Sequence, residues 1–291
     1  MQIRSILSLA GSTRSLGEVR LQLFTDRPLP MLRPDAEDLP LSEPLAHFAE
    51  HGYARLGPVL EGEGAARLAA QADVLMMSDT PHPGIFYQHD ADSGSYADLR
   101  FNAGWVGPSP RYRKLERLEI EPLFMSWVGN ALFKRIARGL LEEPIRLYRA
   151  VLWNKAPGGS MAVPWHQDDG KFWGLNRAPF LQIWTALDDA PVESGCLEVL
   201  PGSHAGGLAS PEGGTVSEVC LARAGAERRA LPLPALRGES IMVHNHTWHR
   251  TLENRTPTPR RAISVSFLGA DTHCIRRRRE PREFKHLFAD E

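Results

Sequence analysis

His166 and Asp168 stand two positions apart in the run Pro164-Trp165-His166-Gln167-Asp168. On a β-strand side chains alternate faces, so this spacing puts imidazole and carboxylate on one side and Gln167 on the other. The pair is one ligand short of a metal site. His249 comes 81 residues after Asp168 (249 − 168), just beyond an apolar run, Ile241-Met242-Val243, that reads as another strand. Two neutral imidazoles and one carboxylate on one face of a metal form the facial triad of non-haem Fe(II) oxygenases, with the remaining positions open. A His-x-Asp pair alone is too short to be specific. The residues C-terminal to His249 carry most of the weight.

Arg260 comes eleven residues after His249 (260 − 249) and opens the alternating run Arg260-Arg261-Ala262-Ile263-Ser264-Val265-Ser266-Phe267, which the pattern predicts as a core strand. An arginine there can pair its fork of donors with a carboxylate. If iron is chelated by one end of 2-oxoglutarate, the far carboxylate needs such a partner, with the Thr251 hydroxyl as a second donor. His244 and His246 compete with His249 for the third ligand place. The spacing to Arg260 and the context Trp248-His249-Arg250-Thr251 favour His249.

As a set, Pro164 to Asp168, Ser194-Gly195-Cys196-Leu197-Glu198-Val199-Leu200-Pro201-Gly202-Ser203-His204, Gly238-Glu239-Ser240, and His249 with Thr251, Asn254 and Arg260 resemble the phytanoyl-CoA dioxygenase family. The likeness covers roughly residues 145–270, in matching order. It implies that His166, Asp168 and His249 bind Fe(II), that Arg260 and Thr251 bind 2-oxoglutarate, and that Trp184 lies beside this cosubstrate, with O2 as the oxidant. Glu239 departs from the Asp found in many members, and Thr251 replaces a Ser but keeps the hydroxyl. Asp168 implies hydroxylation, desaturation or ring closure, because related halogenases carry Ala or Gly there. His204 falls in a turn and is not expected to bind metal.

Composition narrows the class. The 291 residues include 42% hydrophobic and 24% charged side chains, ordinary for a globular enzyme, and the formal net charge of −1 gives no reason to expect nucleic acid or an anionic membrane as partner. Three cysteines, Cys196, Cys220 and Cys274, are too few and scattered for a disulfide scaffold, which points to a reducing, cytoplasmic setting. No apolar run reaches the roughly 18 residues of a membrane helix. Met1–Arg20 is loosely transit-peptide-like, but Val19–Phe24 alternates as a strand, and that reading is preferred.

These residues need a scaffold to position them. Residues 1–44 read as an N-terminal strand and a proline-rich linker, 45–144 as helical support and a lid, 145–270 as the core carrying the metal site, and 271–291 as a basic tail with a solvated surface. Helical spacing is expected over 44–52, 62–77 and 114–141, and a short strand over 53–56. Residues 78–112 are turn-rich and carry aromatics. Tyr87, Arg100 and Trp105 are the candidates there for contacting substrate, against the plainer reading that such aromatics pin a loop. Lys155 or Arg149 could meet an anionic substrate, or simply face solvent. His82, His89, Asp90 and Asp92 suggest a second metal only weakly. Residues 205–235 read as an insertion forming the opposite pocket wall.

The expected fold is mainly β with flanking α: a double-stranded β-helix, a cupin-like jelly roll of two sheets. The expected activity is a 2-oxoglutarate-dependent Fe(II) dioxygenase on a small-molecule metabolite, releasing succinate and CO2. Two alternatives stay open: a cupin-type metal-dependent isomerase or hydrolase that does not use 2-oxoglutarate, and a non-catalytic binding module.

Overall fold

The computed structural model describes residues 31–101, 104–277 and 282–288. The strand expected at Val19–Phe24 lies outside them. Two antiparallel sheets pack face to face. The larger has seven strands in the order β1 (Tyr53–Pro58), β10 (Glu239–Val243), β6 (Leu181–Ala186), β12 (Arg260–Leu268), β4 (Arg146–Lys155), β3 (Tyr112–Glu116) and β2 (Phe86–His89). The smaller has five, in the order β8 (Gly214–Thr215), β5 (Val163–Gln167), β11 (His249–Thr251), β7 (Leu197–Val199) and β9 (Leu231–Leu233). This is the expected double-stranded β-helix.

Strand β12 shows how the large sheet is held. It lies between β4 and β6 and every residue is buried, because both faces are covered. Ile263, Val265 and Phe267 alternate to one side, where Phe133 meets Phe267 edge-on at 6.1 Å between ring centroids. Phe133 belongs to α4 (Ala131–Leu140), which follows α3 (Pro122–Val128); the two helices cover this face with Phe124, Trp127, Leu132 and Ile136, all fully buried. Helix α1 (Ser42–His51) ends at Gly52, whose φ of 77° is left-handed, and leads directly into β1. Helix α2 (Gly62–Met77) buries Ala65, Leu68, Ala72 and Leu75 at helical spacing.

Three expectations need correction. Residues 114–141 are not helical throughout. Tyr112–Glu116 is strand β3, closed by Arg117 at a left-handed φ of 68°, and the helices begin only at Pro122. Leu115 and Leu118 mimic a helical i, i+3 pair, but Leu115 is one inward position of an alternating strand. The region 45–144 is also more than helical support, since β1, β2 and β3 all extend the large sheet. The stretch 205–235 contributes β8, β9 and two short helices, α5 (Glu218–Ala224) and α6 (Ala226–Arg229). The two helices lie around Trp165 and Leu200, Leu233 of β9 packs with Leu197 and Val199, and none of that stretch is among the cavity residues.

Candidate metal and cosubstrate site

The cavity between the sheets takes residues from both: Trp153, Asn154 and Lys155 of β4, Gln182 and Trp184 of β6, Arg260 and Ser264 of β12 on one side, and Val163, His166, Leu197, His249 and Thr251 of the small sheet on the other. His166 and His249 are directly opposed across the β5–β11 pair, and their ring centroids are 4.0 Å apart. The register then slips, so that Thr251 faces Val163, which places one extra residue on β5 at Pro164-Trp165. A bulge is where a strand tolerates proline, which has no ladder donor to give. Asp168 lies one residue past the end of β5. Its backbone is fixed by a reciprocal pair: Asp168 N donates to the Asn245 carbonyl at 2.8 Å, and Asn245 Nδ2 donates to the Asp168 carbonyl at 2.9 Å.

One ligand atom from each of His166, Asp168 and His249 lies within 4.8 Å of the others, the one such group of His, Cys, Asp or Glu among the described residues. His249 Nε2 and Asp168 Oδ2 are 3.6 Å apart. The ring orientations are set by the backbone. His166 Nδ1 lies 2.9 Å from the Pro164 carbonyl and His249 Nδ1 lies 2.8 Å from the Thr247 carbonyl. A carbonyl only accepts, so each Nδ1 carries the proton and each Nε2 presents a lone pair to the site. Burial and the neighbouring His249 push the His166 imidazole down to about 4, so it is neutral and ready to ligate at neutral pH. Burial alone would raise the Asp168 carboxyl, but the His249 ring, the Arg149 guanidinium and His166 together hold it well below the usual carboxylate range. Gln182 Nε2 donates to Asp168 Oδ2 at 2.9 Å, and Gln182 Oε1 accepts from Ser264 Oγ at 2.9 Å.

The adjacent arginines of β12 have opposite fates. Arg261 points outward and is saturated: it pairs two-pronged with Asp188 at 2.7 and 2.9 Å and reaches Asp73 at 2.6 Å. Arg260 points into the cavity, is 2% exposed, and its Nε and Nη1 have no hydrogen-bond partner. The Thr251 hydroxyl is likewise buried and unpartnered. Burial pushes the Arg260 guanidinium down to about 10, only partly offset by Cys196 and Asp188. Buried donors of this kind are costly unless something accepts from them. A cavity holding an orphaned guanidinium and hydroxyl beside a two-histidine, one-carboxylate group fits a metal together with a dicarboxylate.

The other sequence candidates divide between the cavity wall and the surrounding scaffold. Trp184 lines the cavity on the same face as Gln182. Lys155 also lines it, but its ammonium donates to the Met161 carbonyl at 2.7 Å, an internal tie for the loop after β4. Tyr87, Arg100 and Trp105 are not among the cavity residues. Tyr87 is buried, and its hydroxyl bonds to the Leu75 carbonyl and the His82 amide, because β2 continues the large sheet rather than forming a free lid. Arg100 is exposed. His82 pairs with Glu121 at 2.6 Å, and His89 bonds to Ser109 at 2.8 Å, so neither joins a second metal group. His246 pairs with Asp169 at 2.9 Å and His204 bonds to the Ala49 carbonyl, both apart from the triad. Sequence reasoning missed Arg113, a buried cavity residue whose Nη1 donates to Gln88 at 2.6 Å. Its signal was the Tyr-Arg-Lys-Leu alternation of β3.

Fold and site together define a double-stranded β-helix whose cavity carries two histidines and one carboxylate that could hold a single metal ion. The sequence profile of the family described as phytanoyl-CoA dioxygenase matches residues 48–262, and the chain belongs to that family. Phytanoyl-CoA dioxygenase domain-containing protein 1 from Bos taurus is 27% identical over 159 residues, covering 52% of this chain and 54% of the relative. The chain thus spans about half the length of the curated relatives it matches. Among solved structures, EctD from S. alaskensis with 2-oxoglutarate and 5-hydroxyectoine superposes with a TM-score of 0.65 at 19% identity, over 85% of this chain and 83% of that one. The epimerase SnoN in complex with Fe3+, alpha-ketoglutarate and nogalamycin RO gives a TM-score of 0.64 at 19% identity, over 89% and 98%.

Proposed function

We propose that this chain is an Fe(II)- and 2-oxoglutarate-dependent dioxygenase that oxidises a small-molecule metabolite. The observation that carries the reading is the orphaned Arg260 guanidinium and Thr251 hydroxyl, facing the same cavity as His166, Asp168 and His249. The two histidines and Asp168 hold the metal on one face. Arg260 and Thr251 donate to the far carboxylate of the cosubstrate, and Trp184 walls it. Bound there, Fe(II) supplies O2 activation coupled to oxidative decarboxylation of 2-oxoglutarate to succinate and CO2. The protein's part is to keep each imidazole proton on Nδ1, hold Asp168 ionised and place the target carbon over the open side of the metal.

Because Asp168 occupies the third ligand place, hydroxylation, desaturation or ring closure is the outcome this reading supports. The apolar cavity walls, Trp153, Met161, Val163, Leu197 and Val243, suit a free small metabolite. No helix among the described residues is long and apolar enough to cross a membrane, and the three free cysteines suit a reducing cytoplasm. The test is anaerobic addition of Fe(II) and 2-oxoglutarate to purified protein. A weak visible charge-transfer band is expected, absent in His249→Ala. Metal binding without a band in the wild type would favour an isomerase or hydrolase, and no metal binding at all would remove the enzyme reading.

A further inference from the structure

Arg149, a candidate for meeting substrate, does not line the cavity. Its side chain is 15% exposed and reaches Asp168, with Nη2 3.4 Å from Oδ1 and Nη1 3.4 Å from Glu116 Oε1. The guanidinium lies over the Trp173 ring at 4.3 Å from Cζ to centroid, and Trp173 itself stacks on Tyr148 at 4.6 Å with an interplanar angle of 12°. Trp173 closes the single turn Lys171–Trp173 that comes directly after Asp168, Asp169 and Gly170. One short segment therefore supplies both the metal-site carboxylate and the aromatic bed for the cation that grips it.

We propose that Arg149 is a positioning residue of the metal centre: by holding Oδ1 of Asp168 it turns Oδ2 toward the imidazoles and keeps the carboxylate a one-oxygen ligand. The inference rests on the reading of His166, Asp168 and His249 as a metal site. Gln182 touches only Oδ2, which already faces His249 Nε2, so it leaves the rotation of the carboxylate toward two-oxygen ligation unopposed. Arg149 opposes it. Glu116 does not need Arg149 for charge balance, because Lys114 Nζ already sits 2.6 Å from Glu116 Oε1. The surplus cation of this buried group is the one that serves Asp168. A second oxygen on the metal would occupy a position that cosubstrate or O2 requires.

The test is Co(II) titration of the metal-free protein, read by visible absorption. In Arg149→Met, whose unbranched side chain still covers Trp173, the dissociation constant should rise about tenfold or more, the usual effect of losing a partner of a metal ligand. The absorption spectrum should shift as well, because a second carboxylate oxygen displaces water from an open position. Glu116→Gln removes the other partner of Arg149 without touching Asp168 and should bind Co(II) as the wild type does. A purely structural role for Arg149 would make the two variants alike and overturn the proposal. So would equal or tighter Co(II) binding by Arg149→Met, because the positive charge alone opposes a dication. Should Arg149→Met fail to fold, Arg149→Lys decides: it keeps the charge and loses the fork, so weakened binding supports positioning and unchanged binding refutes it. Absence of Co(II) binding by the wild type would remove the oxygenase reading itself.

Discussion

Replacing Arg260 by methionine should stabilise the protein and weaken cosubstrate binding, two effects of opposite sign from one substitution. Arg260 is 2% exposed with Nε and Nη1 unpartnered, whereas a site serving only stability would have paired it as Arg261 is paired. Its drop from 12.5 to about 10 gives the scale: roughly 3 kcal/mol by which the folded state disfavours the charged form. A cation with a depressed folded pKa destabilises at every pH below that value, so the cost is fully present at pH 7. Methionine keeps the unbranched stem and removes the charge. The metal-free variant should melt several degrees higher, at about 2–4 °C per kcal/mol for a domain near this size. On the proposed function, the cosubstrate carboxylate relieves the same cost in the wild type. Its loss in the variant should weaken 2-oxoglutarate binding by about a hundredfold or more, as expected for truncating one partner of a buried charge pair. Thermal melts of the metal-free proteins measure the first quantity, and melts in Co(II) with and without 2-oxoglutarate measure the second. A variant that melts lower and is still stabilised by 2-oxoglutarate would refute the assignment of Arg260.

The pH dependence of stability has a defined sign. Burial pushes His166 down to about 4 and His244 to about 3, with His249 and His246 as the next causes. Below an unfolded value near 6.5 the unfolded chain binds more protons, so stability is full above that pH and falls as acid is added. By pH 4.5 the loss should be about 5 kcal/mol for the two groups, on the order of 10 °C in melting temperature; a flat profile from pH 7 to 4.5 would contradict it. Gly213 tests how tightly the metal-bearing turn is packed. It sits at φ 70°, and a Cβ there would lie 1.7 Å from the Asp169 carbonyl oxygen. Gly213→Ala should cost at least about 3 kcal/mol from strain and displaced backbone and weaken Co(II) binding together with the melting temperature. A fall in stability with unchanged metal affinity would uncouple that turn from Asp168.

Legibility depended on how local the determinants were. Strands β10 and β12 and helix α2 were readable because an apolar run or a period marks each locally, and Gly62–Met77 was placed at both ends. Strand β2 was not. Phe86–His89 is four residues at the sheet edge between turn-rich segments, and its pairing with β3 is a long-range fact that no local pattern encodes. Strand β3 was hidden differently, because Leu115 and Leu118 satisfy a helical spacing until the left-handed Arg117 breaks it. Once β2 is a strand, Tyr87 turns into the core and loses its place as a lid residue.

The same distinction separates the proposed metal ligands from the groups that aim them. His166, Asp168, His249, Thr251 and Arg260 are legible because a metal and a dicarboxylate would impose fixed residue types at fixed intervals. Their supports carry no such constraint. The Pro164 and Thr247 carbonyls that set the imidazole tautomers are backbone, available from any residue, and they work only because the β5 bulge points them correctly. The bridge that Gln182 makes from Asp168 to Ser264 depends on the pairing of β6 with β12. Arg149 shows the limit most sharply: on its own strand it is one more charged residue, about equally readable as solvent-facing. Only the pairing of β4 with β12, which puts Arg149 on the face of Trp153 and Lys155, and the return of the chain through Trp173 show it beside Asp168. A substitution at Arg149 or Gln182 would leave every motif in the sequence intact and still change the metal centre, so motif matches alone overstate how much of this site is specified.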